Sequence, residues 1–106
     1  MGVRYSSHIV NQSTEMIKIV LIERPELYTT QVIAAGKNVV IPTSSKRLTL
    51  RVFSRSNDTW RENPEASYTA VRGTSFIVDY GADGKLQIWR SVYGEIHKKN
   101  EGPGWY

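Results

Sequence analysis

Residues 46–55 constrain the fold more than any other part of the chain. In this segment, Lys-Arg-Leu-Thr-Leu-Arg-Val-Phe-Ser-Arg, the aliphatic residues Leu48, Leu50 and Val52 fall at every second position. A helix would place residues two apart about 200° from each other around its axis. In a β-strand, by contrast, successive side chains point to opposite faces of the sheet. The pattern therefore predicts a strand with one buried face and one basic face.

The basic face of this strand is the first candidate binding surface, formed by Arg47, Arg51, Phe53 and Arg55. Successive arginines on it would lie about 13 Å apart, given a strand rise of about 3.3 Å per residue. Guanidinium groups suit phosphate, sulfate or carboxylate, and Phe53 could stack on a base or a sugar. The alternative interpretation is an edge strand whose charges prevent edge-to-edge aggregation.

The overall composition is that of one small globular domain, residues 1–106. The net charge of +4 is concentrated in residues 1–55, which carry eight Lys/Arg and three Asp/Glu. The chain has no cysteine, which excludes disulfides, thiolate metal sites and cysteine nucleophiles. Because no apolar stretch approaches the roughly 20 residues of a membrane span, the default expectation is a soluble, cytoplasmic protein.

Segments rich in Val, Ile, Thr and Tyr recur along the chain and are separated by Asn, Gly, Pro or charged clusters. This spacing predicts an all-β fold, a small antiparallel β-sandwich, with a closed β-barrel as the alternative. The turn at residues 11–14 is expected to close a hairpin between the first two strands. The predicted strands are 3–10, 16–22, 28–33, 38–41, 48–54, 67–71, 74–80 and 85–93.

Residues 57–66 form the longest segment without a strand pattern. Asn63, followed by Pro64, is a favourable helix start, so one helical turn is predicted within a long loop. Trp60 in this loop would either cap the core or project outward as a binding residue, and the cap is the favoured interpretation.

The pair of strands 74–80 and 85–93 gives a second candidate surface. A three-residue loop, 82–84, with Gly84 in the left-handed conformation, groups the apolar side chains of both strands on one face and places Ile77 opposite Trp89. An aromatic platform then occupies the other face; its predicted ligand-binding members are Ile77, Gln87, Trp89 and Tyr93. Such a platform accepts sugars, lipid interfaces or protein partners, or it is covered by a terminal segment or a second sheet.

The C-terminal segment, residues 96–106, contains Gly-Pro-Gly followed by two aromatic residues, Trp105 and Tyr106. A flexible tail is predicted here, and these two side chains would either fold back onto an apolar patch or contact a partner or a membrane interface.

No catalytic or metal-binding motif is recognisable in the sequence. His8 and His97 lack the spacing of a zinc or general-base motif, and no nucleophile elbow or phosphate-binding glycine loop is present. An enzymatic role is therefore disfavoured, and no cofactor or metal is predicted.

The N-terminal segments resemble the first strands of some small β-sandwiches. Residues 9–13, 17–21 and 35–37, leading to Ile41 and Pro42, are similar in arrangement to the opening of aegerolysin-type membrane-binding proteins and of the von Hippel–Lindau β domain. The similarity covers less than half of the chain and includes no family-specific motif. It implies a β-sandwich and no particular site.

These features predict a non-catalytic recognition module that binds a protein or glycan surface through an aromatic and basic sheet face. The first alternative is a membrane-active, toxin-like protein that binds lipid and forms homo-oligomers. The second is nucleic-acid binding through the basic strand, which would give a steeply salt-sensitive affinity.

Overall fold

The computed structural model of the chain describes residues 5–23, 27–71, 73–92 and 95–98, with no helix among them. The strands of this part of the chain are β1 (Tyr5–Asn11), β2 (Ile17–Glu23), β3 (Leu27–Ile33), β4 (Asn38–Thr43), β5 (Arg47–Ser56), β6 (Thr59–Val71), β7 (Ser75–Tyr80), β8 (Leu86–Val92) and β9 (Glu95–Lys98).

The strands form two sheets that pack face to face. One sheet has five strands in the order β4-β1-β7-β8-β9, and the other has four in the order β3-β2-β5-β6. All pairs are antiparallel except β1 with β7, which is parallel. Since neither sheet closes on itself, the predicted β-sandwich is confirmed and the barrel alternative is wrong.

The core lies between the sheets and is filled by alternate residues of the strands. On β5 the aliphatic residues predicted to face inward, Leu48, Leu50 and Val52, are at most 1% exposed. Phe76 of β7 packs edge-on against Tyr68 of β6, with ring centroids 5.8 Å apart, and so joins the two sheets. Burial raises the pKa of the Tyr68 hydroxyl, an effect that the nearby Arg90 guanidinium opposes.

The predicted hairpin between β1 and β2 is wrong, because the two strands belong to different sheets. The connecting turn crosses from one sheet to the other and is organised by Asn11, whose side chain is fully buried. The amide Nδ2 of Asn11 donates to the carbonyl oxygens of Glu15 (2.8 Å), Ile33 (2.9 Å) and Ala34 (3.2 Å). Its Oδ1 accepts from the backbone N–H of Ser13 at 3.0 Å and from the Ser13 hydroxyl at 2.6 Å.

Glu23 occupies the opposite end of β2 and is also buried, at 1% exposure. Its Oε1 accepts hydrogen bonds from the backbone N–H groups of Ser44 (2.8 Å) and Ser45 (3.0 Å). The carboxylate therefore connects the end of β2 to the β4–β5 turn, which passes from one sheet to the other.

The prediction for residues 57–66 is wrong, because this segment contains a tight turn and the first half of β6. Asn57 and Asp58 both have positive φ, 50° and 64°, and they form a two-residue turn between the paired residues Ser56 and Thr59. This is the geometry of a type I′ hairpin, which matches the twist of the flanking strands. No helical turn starts at Asn63. The register instead shifts between Arg51 and Phe53, so residues 63–66 leave the ladder and Pro64 is accommodated on an edge strand.

The predicted β7–β8 hairpin is confirmed. The Gly81 N–H donates to the Lys85 carbonyl at 2.8 Å, the Gly84 N–H donates to the Gly81 carbonyl at 3.0 Å, and Gly84 has a φ of 79°. Ile77 lies opposite Trp89, as the loop length requires. This register fixes which side chains of β7 and β8 reach the outer face of the five-stranded sheet.

Candidate functional site

The two surfaces predicted from the sequence lie on opposite sides of the sandwich. Arg47, Arg51, Phe53 and Arg55 are on the outer face of the four-stranded sheet, whereas Ile77 and Trp89 are on the outer face of the five-stranded sheet. Packed sheets are separated by about 10 Å of core. The two sets therefore do not combine into a single composite site.

The edge-strand interpretation of the basic stripe is also wrong. β5 is an interior strand of its sheet and pairs with β2 on one side and with β6 on the other. Both sides of β5 are paired along most of its length, so its arginines do not protect an open edge. Edge protection therefore does not explain why these arginines lie on the outer face of the sheet.

The first candidate site is a small cavity on the five-stranded sheet, which we call the Trp89 pocket. It has a volume of about 190 Å³ and is lined by Gln12, Ile77, Asp79 and Trp89. Ile77, Asp79 and Trp89 are half-buried, and Gln12 is exposed. The pocket thus combines an indole, an aliphatic side chain, a carboxylate and an amide.

Backbone contacts hold the polar members of the Trp89 pocket. Gln12 follows Asn11 directly, and its N–H donates to the carbonyl of Val78 on β7 at 2.8 Å. Asp79 Oδ1 accepts from the N–H of Tyr80 at 2.8 Å, which fixes the carboxylate at the end of β7. The buried network around Asn11 therefore places Gln12 beside the outer face of β7.

Gln87 was predicted to be part of the aromatic platform, but it does not line the pocket. It is only 6% exposed, and it lies against Gly81, where an added Cβ would be 2.6 Å from the Gln87 side-chain amide. Its Oε1 is buried without a hydrogen-bond partner in the described part of the chain. The Gln87 side chain therefore packs against Gly81 of the β7–β8 hairpin, and Gln87 pairs with Asp79 in the ladder.

The second candidate site, which we call the Lys18 cluster, consists of Lys18, Phe53, Arg55 and Trp60 on the four-stranded sheet. The Lys18 ammonium lies 4.8 Å from the centre of the Phe53 ring and 5.5 Å from that of Trp60. The Arg55 guanidinium is 5.8 Å from the centre of the Trp60 ring. These distances are within the range of cation–π attraction.

The surroundings of the Lys18 cluster are mostly cationic. Arg51 lies 3.6 Å from a carboxylate oxygen of Glu62, and Arg55 lies 3.1 Å from one of Asp58, with all four side chains at least one-third exposed. Arg47 is also exposed, at the far end of β5. Exposed ion pairs of this kind contribute little to stability, so the arginines remain available to an external ligand.

Sequence reasoning missed Lys18 and Glu62 as neighbours of the basic stripe, and for Trp60 it favoured the wrong alternative. Trp60 does not cap the core but projects outward, where it pairs with Arg55 across the β5–β6 hairpin and lies beside Lys18. The signal that could have revealed it is the dipeptide Asn57-Asp58, since Asn and Asp tolerate positive φ and are preferred in two-residue hairpin turns. A turn at this position places Trp60 opposite Arg55 and Glu62 opposite Phe53.

Several sequence predictions fall outside the described residues. Tyr93 of the aromatic platform is among them, as are Trp105 and Tyr106 of the C-terminal segment. Within the described residues, no three His, Cys, Asp or Glu side chains are grouped to hold a metal ion. The same residues include no helix with the length and apolarity needed to cross a bilayer.

Comparison with known proteins supports the fold alone. No protein-family model matches the chain, and no curated protein matches it. Among solved structures, it is similar to the NMR structure of a protein from Eubacterium rectale, with a TM-score of 0.52 and 8% sequence identity. The match covers 80% of this chain and 85% of the other, so the shared feature is the arrangement of strands.

Proposed function

We propose that the protein is a non-catalytic recognition module that binds one sugar ring of a glycan in the Trp89 pocket. The observation that carries this proposal is the grouping of an indole, a carboxylate and an amide around a cavity of about 190 Å³. Pockets for drug-sized ligands start at roughly 300 Å³. A smaller cavity suits a single ring, with the rest of the ligand outside.

The chemistry of the lining matches that of a sugar. A pyranose has a face of C–H groups, which packs on an amphipathic aromatic surface such as Trp89. Its rim of hydroxyl groups needs hydrogen-bond acceptors and donors. The Asp79 carboxylate accepts such bonds and the Gln12 amide both donates and accepts them. Hydrogen bonds to a carboxylate are the stronger class.

The same lining argues against a lipid surface as the ligand of this face. Insertion of Trp89 into a bilayer would take the neighbouring Asp79 carboxylate out of water, and an unpaired charge in an apolar medium is costly. The lipid-binding alternative also depended on Trp105 and Tyr106, which are outside the described residues.

A glycan array followed by calorimetry on the strongest ligand tests the proposal. We expect Trp89→Ala to abolish binding, because it removes the stacking surface. Trp60→Ala is the matched control: it removes a tryptophan from the opposite face and should leave the affinity unchanged. Asp79→Asn keeps an acceptor for the Tyr80 N–H but removes the charge, and it should weaken binding about tenfold, which corresponds to about 1.4 kcal/mol.

Two results would contradict the proposal: an array with no bound glycan, or a Trp89→Ala variant that binds as tightly as the parent chain. Vesicles of neutral and anionic lipids are included as a parallel arm. Binding to vesicles that is lost in Trp89→Ala would favour the lipid alternative instead.

A second candidate function is contact of the Lys18 cluster with an acidic protein surface. This face carries four cations, Lys18, Arg47, Arg51 and Arg55, against the two described carboxylates Asp58 and Glu62. Such an excess favours acidic partners and raises their association rate. Nucleic acid fits less well, because the cations lie over the rings that would otherwise stack with bases.

Binding of a poly-glutamate peptide and of single-stranded DNA, each over a series of salt concentrations, separates these two partners. We expect the peptide to bind and Lys18→Ala to weaken it, with Lys37→Ala as the control because Lys37 lies in the exposed β3–β4 turn. DNA binding with a steep salt dependence that is lost in Arg51→Ala would identify nucleic acid as the ligand.

A further inference from the structure

The strand β3 is a sheet edge with no evident protection against pairing. It runs for seven residues, Leu27–Ile33, and every one of them pairs with β2 without a bulge. None of the seven is charged or proline. Among the described strands, none pairs with its outer side, so a row of backbone N–H and C=O groups is open there.

The other three edges of the described sheets each carry a feature that discourages pairing. β4 contains Pro42, and the described part of β9 carries the charged residues Glu95 and Lys98. β6 contains Pro64, the charged residues Arg61 and Glu62, and the irregular segment at residues 63–66. Prolines, charges, bulges and short length are the usual devices that protect edges. β3 is the one described edge without such a device, so it is the edge most open to pairing with another strand.

The side chains of β3 point to the same conclusion. Leu27, Tyr28 and Val32 are 54%, 61% and 49% exposed. Tyr28, Thr30 and Val32 lie on the outer face of the sheet, beside Ile22, Val20 and Lys18 of β2 respectively. A seven-residue edge rich in β-branched and aromatic residues is well suited to extend a sheet.

We propose that β3 pairs with β3 of a second copy of this chain, antiparallel and about a two-fold axis at Thr30. This register pairs all seven residues. Thr30 then lies opposite Thr30 of the second copy, Tyr28 opposite Val32, Thr29 opposite Gln31, and Leu27 opposite Ile33. Because the two copies of β3 run antiparallel about this axis, each of these pairs occurs twice except the central one, as a two-fold interface requires.

The pairs formed in this register are self-complementary. Aromatic residues opposite β-branched residues, and threonine opposite threonine, are among the favourable cross-strand combinations. Since β3 carries no charge, no like charges face each other when two copies meet. A register shifted by one residue would place the core-facing side chains of one copy on the outer face of the other, so it is excluded.

The resulting assembly is a continuous eight-stranded sheet that spans two sandwiches. With the two-fold axis perpendicular to that sheet, the outer faces of both four-stranded sheets lie on the same side. The two Lys18 clusters would then face one direction, and a partner with a repeated acidic surface could contact both. The Trp89 pockets, on the five-stranded sheets, would remain open on the other side.

The test measures molecular mass by size-exclusion chromatography with light scattering, and by sedimentation, over a series of concentrations. We expect the parent chain to reach twice its chain mass. Thr30→Lys places two ammonium groups opposite each other at the axis and should give a monomer at every concentration. Thr69→Lys is the matched control: Thr69 is an exposed threonine at the opposite edge of the same sheet, and this variant should still dimerise.

A charge-reversal pair tests the register itself. Tyr28→Glu and Val32→Lys should each weaken the dimer when introduced singly. The double variant places the new carboxylate of one copy opposite the new ammonium of the other at both ends of the interface, so it should restore the dimer at low salt and lose it again at high salt. Circular dichroism and thermal melting of every variant confirm that loss of the dimer does not reflect unfolding.

Three results would overturn the proposal. A parent chain that stays monomeric at all concentrations shows that β3 does not self-pair. A dimer that survives Thr30→Lys, or one that is lost in Thr69→Lys, places the interface elsewhere. A double charge variant that stays monomeric rejects the register with its axis at Thr30.

Discussion

Asn11 and Glu23 close the two ends of the sandwich, and they do so with different hydrogen-bonding chemistry. Both residues are at most 1% exposed; Asn11 is the last residue of β1, before the turn that leads into β2, and Glu23 is the last residue of β2. The Asn11 amide donates to three carbonyl oxygens and accepts from the Ser13 backbone and hydroxyl. The Glu23 carboxylate oxygen only accepts, from two backbone N–H groups.

This contrast shows what each end requires of its residue. The Asn11 end needs a side chain that donates and accepts, and among residues of this size only asparagine does both through a planar amide. The Glu23 end needs a long side chain with an acceptor oxygen. Only the Asn11 end is next to a candidate site, because Gln12 of the Trp89 pocket is the following residue.

The largest effect is expected for Asn11→Asp, which keeps the shape but removes the donor. The carboxylate would face the carbonyl oxygens of Glu15, Ile33 and Ala34 in a buried position. An unpaired buried charge costs about 3–5 kcal/mol. Urea denaturation should therefore show a fall of this size in the free energy of unfolding, and the glycan affinity of the folded fraction should fall as Gln12 loses its support.

The matched control for this variant is Asn38→Asp. Asn38 is an exposed asparagine with one side-chain bond, to His8 at 3.0 Å, and its substitution should change the free energy of unfolding by no more than about 0.5 kcal/mol. If Asn11→Asp is as mild as this control, the contrast between the two ends is wrong.

The elements that the sequence predicted correctly are those in which a local pattern decides the structure. The alternation of Leu48, Leu50 and Val52 with basic residues was sufficient to identify a strand with one buried face. For β7 and β8, only a three-residue loop places the apolar side chains of both strands on one face of the sheet. This loop length fixed the pairing of Ile77 with Trp89. These two inferences gave the sandwich and one wall of the Trp89 pocket.

The elements that were missed depend on which strands become neighbours. Turn residues at 11–14 are equally compatible with a hairpin and with a connection between sheets, and packing of the whole core decides between them. Lys18 joins Phe53 only because β2 pairs with β5, which no local pattern reveals. Pro64 does interrupt strand pairing, as its sequence context indicates. The interruption is an irregular register within the edge strand β6, however, and not a loop.

A smaller effect is expected at the Glu23 end, and it distinguishes the acceptor from the charge. Glu23→Ala leaves the Ser44 and Ser45 N–H groups without this partner and should cost about 2–3 kcal/mol. Glu23→Gln retains the Oε1 acceptor and should cost about 1 kcal/mol. Thermal and urea unfolding give both values, and neither variant should alter glycan binding, because the Trp89 pocket is at the other end. A Gln variant as unstable as the Ala variant would show that the negative charge is essential.

The smallest effect is expected for Ser13→Ala, which removes the Ser13 hydroxyl from the Asn11 network and leaves the three bonds that the Asn11 amide donates. The Ser13 hydroxyl lies 2.6 Å from Asn11 Oδ1 and 3.1 Å from the Glu15 carbonyl oxygen as acceptors, and it accepts from the Glu15 N–H at 3.3 Å. The Ser13 backbone N–H also donates to Asn11 Oδ1, at 3.0 Å. Because Oδ1 keeps the backbone donor, the cost should be about 1 kcal/mol.

Unfolding of Ser13→Ala, Asn11→Ala and the double variant measures the coupling between them. If the network acts as a unit, Ser13→Ala should cost less in the Asn11→Ala background than alone, since the Ser13 hydroxyl has then already lost Oδ1 and keeps only its contacts with the Glu15 backbone. Equal costs in both backgrounds would mean that Asn11 stabilises this end only through its three donated bonds.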